Sequence, residues 1–418
     1  MNPSQPHPAL NIAAYALLAG LLVYPFSIAA SNLFFAIMLL IVLPNRALIQ
    51  QGWRTCWSDY QPITIGILCF ILFTFVGTLW SEYTELSLHK MGKQLNWLII
   101  PVIIALVYVQ PKLRLHAFIF ISTGLFLHLI LCTLQYNGVV NISGQGSNLH
   151  DATGLVGHLS FGFIYGIWAG ALLVAAQTLP KKWKYVCYIL CIYDVVTVFM
   201  AQGRSGYITT LACLALVALK VLFPGKWKLK VLFLAVVISA IAIFISTHPP
   251  TQHKIDQTIS GVSAFFDGNW DNTDLRIKLW ATSIEVWKEN PWFGVGTADY
   301  QPASYKLLQQ EEFAYLAKGQ PLSSQEAAFG HPHNEFLFEL ARWGVFGLLA
   351  LLYLCWHWIG AGWKKDWQHD TMNAYLLTAS GISVVLHGLT EPSLNKQLET
   401  VFAFIVLAFA MSRSSNKQ

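Results

Sequence analysis

The chain alternates long apolar runs with short polar breaks up to about residue 247. A polar interval follows from 248 to 333, and the apolar pattern then resumes almost to the end. A bilayer's hydrocarbon core is roughly 30 Å thick and takes about 20 apolar residues to cross as a helix. By that measure twelve stretches are predicted as spans, at approximately 10–25, 28–43, 62–80, 96–110, 115–135, 156–179, 184–201, 206–223, 229–247, 334–359, 371–388 and 398–412. In lipid the backbone must satisfy its own hydrogen bonds, which selects helices. The opening MNPSQPHPALNIAAYALLAG lacks a basic leader and an A-x-A site, so it reads as a first span rather than a removed signal peptide. The expected fold is an all-α integral membrane protein with about twelve transmembrane helices and one large helical loop. Residues 1–247 would hold nine spans, 248–333 a loop or cap, and 334–418 three spans and a tail.

Inside the polar interval, Ile277, Trp280, Ile284 and Trp287 recur at helical spacing in DLRIKLWATSIEVWKEN. They predict an amphipathic helix over 274–290, capped by Thr273 or Asp274. Its aromatic face suits a membrane interface, the bundle, or both. Pro291 and the turn glycines Gly294 and Gly296 of PWFGVG end it, and a second helix is expected over about 302–317.

Composition agrees with a membrane protein: 55% of residues are hydrophobic and only 11% charged, against about 25% charged in soluble domains. The net charge of +5 is spread over short loops, which excludes the dense basic patch of a nucleic-acid binder. The seven cysteines fall mainly in apolar stretches and none lies in 248–333, so that interval has no disulfide framework. With a cytoplasmic N-terminus, the basic residues of the short loops gather on the inner side. They run from Arg46, Arg54, Lys112 and Arg114 to Lys364, Lys365, Arg413 and Lys417. Only Lys90, Lys93, Arg204 and Lys396 occupy the opposing short loops. This positive-inside bias makes both termini cytoplasmic and turns 248–333 outward. Arg204, Arg276, His331, His333 and Glu391 then meet at the outer side.

Arg204 stands in QGRSGYI at the mouth of the bundle, and Arg276 stands one helical turn before Trp280. A guanidinium in such a place either grips phosphate oxygens in a bidentate manner or snorkels to headgroups. His331 and His333 of GHPHNEF offer at most two zinc ligands, and no cysteine or close carboxylate completes a recognisable ligand spacing. No D-x-D pair and no G-x-S-x-G element is present. What remains is an imidazole suited to take a proton, since its unperturbed pKa is about 6.5. Arginines able to neutralise a departing diphosphate would accompany it. His333 is equally placed to cap the next helix.

The spacing His333-Asn334, nine residues, Gly344, two residues, Gly347 resembles the H-[NSQ]-x9-G-x-x-[GTY] pattern of bacterial O-antigen ligases (WaaL). GRSG around Arg204 and the stretch from Arg276 to Gly296 resemble that superfamily's other signatures, as does the topology of the whole chain. The resemblance implies a GT-C-like, metal-independent glycosyltransferase without cofactor in the bacterial inner membrane, working at the periplasmic face. Its partners would be an undecaprenyl-diphosphate-linked O-antigen donor, a lipid A–core acceptor and membrane lipid, and no nucleic acid. His333 would be the base, with Arg204 and Arg276 on the diphosphate and Lys90 and Lys93 as further cations there. Asn334, Glu391, Trp280 and His331 would support them, Glu391 by orienting an Arg or His. The superfamily also holds O-antigen polymerases (Wzy) and protein O-oligosaccharyltransferases (PglL), and His331 fits the H-x-H-N form often seen in the latter. A transporter of lipid-linked sugars is the reading from a different class, with Asp194 as its mid-span charge.

Overall fold

The computed structural model describes residues 8–142, 153–201, 203–247 and 249–412; Arg413 and Lys417 lie outside them. Among the described residues all regular structure is helical. The first helices are α1 (Pro8–Val23), α2 (Ile28–Val42), α3 (Arg46–Asp59), α4 (Gln61–Val76), α5 (Thr84–Gln94), α6 (Ile100–Val109) and α7 (Leu113–Tyr136). Next come α8 (His158–Thr178), α9 (Lys181–Met200), α10 (Arg204–Val217), α11 (Trp227–Thr247) and α12 (Pro249–Phe266). The polar interval contributes α13 (Leu275–Glu289), α14 (Tyr300–Leu308) and the single turn α15 (Ala314–Ala317). The chain finishes with α16 (Glu335–Trp363), α17 (Thr371–Gly388) and α18 (Gln397–Met411).

Each of the twelve apolar stretches contains helix. Among the described residues, six helical runs are long and apolar enough to cross a membrane on their own: Thr84–Val109, Leu113–Tyr136, His158–Thr178, Lys181–Met200, Arg204–Leu222 and Glu335–Trp363. Pro8–Val23, Gln61–Val76 and Gln397–Met411 are apolar but shorter. The polar connection after α2 is itself a helix, α3, turned by 112°. Large apolar side chains such as Leu40, Ile119, Ile189, Ile192, Ile238 and Trp356 stand exposed around the bundle. Such a belt suits lipid rather than water, and the chain is a multi-pass membrane protein.

The axis of the bundle is α8, buried along nearly its whole length. It lies against α10 at a crossing of glycines, where a Cβ on Gly162 would stand 1.9 Å from Gly206 Cα. Small residues let backbones approach this closely, so dispersion replaces the hydrophobic effect that lipid removes. The crossing fixes the start of α10, and with it Arg204, beside the start of α8. Asp194 on α9 is buried, with neither carboxylate oxygen hydrogen-bonded among the described residues.

The polar interval differs from expectation in detail. Helix α13 begins as predicted, with the Asp274 side chain accepting the Arg276 amide at 2.8 Å. Its buried face, however, is Lys278, Leu279, Thr282, Ser283 and Val286. Ser283 bonds the Tyr300 hydroxyl at 2.7 Å, while Ile284 is exposed and Trp280 and Trp287 are half-buried. A polar interior contact thus displaces the aromatic stripe outward. The helix expected over 302–317 is split into α14 and α15 by a 3-10 turn at Glu311–Phe313.

Helix α16 is broken at Gly344, whose φ of 64° and ψ of −162° are open only to glycine. The break frees two carbonyls, and PWFGVG occupies them. Val295 donates to Ala341 O at 3.0 Å and Gly296 to Arg342 O at 2.9 Å, while Val345 donates to Pro291 O at 2.9 Å. Asp299 then accepts Ser81 Oγ and the amides of Glu82 and Tyr83, tying the polar interval to the α4–α5 corner. These bonds hold the loop that carries Arg276 against the helix that begins just after His333.

Candidate active site

The site forms where α16 starts. Asn334 is its N-cap: Oδ1 accepts the Leu337 amide at 3.0 Å, and Nδ2 donates to Leu389 O at 3.1 Å. The cap therefore belongs to Asn334 and leaves the preceding imidazole unengaged in capping. His333 has φ of 53°, the sole positive value for a non-glycine among the described residues. Its amide donates to His331 Nδ1 at 3.3 Å, which holds this strained turn. The turn aims His333 Nδ1 at Glu391 Oε1, 2.6 Å away.

Glu391 follows the end of α17 and its side chain is fully buried. Its Oε2 accepts from Lys396 Nζ at 2.6 Å, and Arg276 Nη2 stands 3.7 Å from Oε1. Burial alone would raise this carboxyl, but the His333 hydrogen bond and the Lys396 charge outweigh it and hold it down to about 2. An ionised carboxylate at 2.6 Å holds the His333 proton on Nδ1 and leaves the Nε2 lone pair free to accept another. His331 is lowered to about 3 by burial first and then by His333 and Lys396, so it is neutral at ordinary pH.

The remaining cations surround this pair. Arg204, at the head of α10, is within electrostatic reach of Arg276 and Asp274. Lys90 and Lys93 share α5 but face different groups. Lys90 lies among Arg342, Asp299 and Glu339 and acts on His331, whereas Lys93 lines a cavity beyond Lys396. Trp280 sits one turn past Arg276, with its Nε1 buried and unbonded among the described residues.

A second cluster lies under the first. Arg342 Nη2 donates to both oxygens of Glu339 at 2.6 Å and to Asn395 Oδ1 at 2.9 Å. Asn395 Nδ2 donates to Glu335 Oε1 at 2.5 Å and Glu339 Oε1 at 2.7 Å, and Glu335 Oε2 accepts the Leu394 amide at 2.8 Å. From α5, Gln94 Nε2 donates to Leu394 O at 2.9 Å. The turn bearing Glu391 and Lys396 is therefore clamped to the first two turns of α16. Sequence reasoning passed over Glu335, Glu339, Arg342 and Lys396. The available signal was the i, i+4, i+7 run of charges in an otherwise apolar helix.

One expectation about metal changes. His331, His333 and Glu391 each bring a ligand atom, all within 4.8 Å of one another. The third ligand atom comes from a carboxylate 58 residues from His333 in the sequence. Yet both Glu391 oxygens already face cationic or proton-donating groups, and His331 Nδ1 accepts a backbone amide. A divalent ion here would share its carboxylate with two cations, so the donor set suits proton transfer and anion binding better.

Residues 186–352 match a family model described as O-Antigen ligase. That stretch contains Arg204, Arg276, His333 and Gly344 but not Lys90, Lys93, Glu391 or Lys396. A protein of Haemophilus influenzae, itself described as uncharacterized, is 22% identical over 181 residues, 42% of this chain and 43% of that protein. The chain thus matches less than half of that relative's length.

Proposed function

We propose that this member of the O-antigen ligase/polymerase superfamily is an O-antigen ligase. It would move a polysaccharide from undecaprenyl diphosphate to lipid A–core at the periplasmic face of the inner membrane. The observation that carries the reading is the His333 Nδ1–Glu391 Oε1 hydrogen bond of 2.6 Å, with Arg276 at 3.7 Å from the same carboxylate. It joins a poised base to an anion-binding group, the two things that transfer from a diphosphate to a hydroxyl needs.

In the reaction the acceptor hydroxyl gives its proton to His333 Nε2 as its oxygen bonds the anomeric carbon. The bond from that carbon to the diphosphate oxygen breaks, and its electron pair leaves on the diphosphate. Arg276 and Arg204 neutralise the charge that develops there, and Lys90 extends the positive field. Glu391 steadies the imidazolium and keeps Arg276 in register. Attack opposite the leaving group inverts the anomeric configuration.

The test is transfer in vitro with purified protein, donor and acceptor. The ligase reading expects modified lipid A–core with inverted linkage. Transfer onto a periplasmic protein instead, or chain growth without lipid A–core, would overturn it in favour of another branch of the superfamily.

A further inference from the structure

A cavity of about 720 Å³ opens beside the active site and shares Lys396 with it. Its walls are the α1–α2 turn, the entry to α8, Lys93 of α5, and the stretch from Asn395 to Glu399. That size lies within the range of roughly 300–1,000 Å³ typical of ligand sites. A smaller apolar cavity of about 230 Å³, around Arg114 and Phe409, is remote from the chemistry.

The larger cavity is built for a particular kind of ligand. Glu399 lines it and is 1% exposed; its Oε1 accepts from Ser160 Oγ at 2.8 Å. Its Oε2 is buried and has no hydrogen-bond partner among the described residues. A buried acceptor left unbonded is costly, by about 1–3 kcal/mol in general, and calls for a donor. The same walls carry Lys93, Lys396 and the start of α8, whose Gly157 cap supplies no side-chain bond. The helix end and the two lysines favour negative charge. One acceptor for a hydroxyl set among groups for an anion matches a sugar that carries both.

Resting on the ligase reading, we propose that this cavity is the acceptor subsite and binds an anionic sugar, phosphorylated or acidic. Glu399 accepts a hydrogen bond from a hydroxyl of that sugar, and Lys93 and Lys396 hold its charged substituent. Lys396 also grips Glu391 at 2.6 Å. Occupation of the cavity therefore brings the acceptor glycan alongside the His333–Glu391 pair, with the donor diphosphate on the Arg276 and Arg204 side.

Binding can be read without catalysis. The full chain in detergent is titrated with glucose 6-phosphate, glucose and inorganic phosphate, with saturation-transfer NMR as the readout. Glucose 6-phosphate should bind more tightly than either fragment. Glu399→Gln should weaken it about tenfold and erase its advantage over inorganic phosphate, while Lys93→Ala weakens both phosphate-bearing probes. Size-exclusion profiles matching the parent protein exclude misfolding, and the solvent-exposed Lys93 variant gives a second reading free of that risk. No binding, or binding equal in parent and Glu399→Gln, overturns the proposal. Specific binding with no transfer to any lipid acceptor would leave the cavity standing and sink the ligase reading instead.

Discussion

His333 and Glu391 lie 58 residues apart and are joined by a hydrogen bond of 2.6 Å between Nδ1 and Oε1. The pairing fixes which imidazole nitrogen is free, and Arg276 and Lys396 complete the shell around the carboxylate.

Replacing Glu391 separates charge from shape. Glu391→Gln should cut transfer about a hundredfold or more, because the imidazolium loses its counter-charge and the tautomer is no longer held. Glu391→Ala should also lower stability by about 3 kcal/mol, since Arg276 and Lys396 lose the carboxylate between them. Initial rates and thermal unfolding of the two variants check this.

Acid sensitivity follows from the same shell. Glu391 is depressed from 4.5 to about 2, so its contribution is complete above its unfolded value and fades as pH falls from 4.5 toward 2. His331 is depressed from 6.5 to about 3. The unfolded chain binds its proton first, so stability falls as pH drops from 6.5 toward 3. Thermal unfolding against pH should show both stages. His331→Asn should weaken the upper one and Glu391→Gln the lower.

The break in α16 should depend on glycine. A Cβ on Gly344 would stand 2.2 Å from Trp292 C and O, at a φ of 64°. Gly344→Ala should cost about 3 kcal/mol or more and release PWFGVG. Gly360 has nothing within 4 Å of its Cβ position and is helical, so Gly360→Ala should be neutral or stabilising by about 0.5–1 kcal/mol. Midpoints of unfolding in detergent distinguish the two.

Metal removal should be silent. With Arg276 and Lys396 already on Glu391, transfer should be unchanged by EDTA. Loss of activity that added zinc or manganese restores would show His331, His333 and Glu391 acting as ligands.

The apolar stretches were legible because a membrane helix writes its length directly in hydropathy. Helices α3, α5 and α12 were not, since their residues are mixed and none carries an apolar run of spanning length. The signature around His333 was visible as spacing, but the reason for Gly344 was not: it admits a loop that departs the helix line some fifty residues earlier in the chain. The same holds for Glu391, which in sequence is one carboxylate in a polar turn. Only the Glu335–Asn395 and Glu339–Arg342 clamp explains why that turn stands over His333. For α13 the aromatic periodicity predicted the helix and misjudged its inner face, because Ser283 and Tyr300 form a bond that hydropathy does not register.

The most direct measurement is transfer of O-antigen to lipid A–core by purified His333→Ala, beside parent protein with the same size-exclusion profile and unfolding midpoint. The account predicts no detectable ligated product from the variant and full product from the parent. Transfer at the parental rate by folded His333→Ala would contradict it.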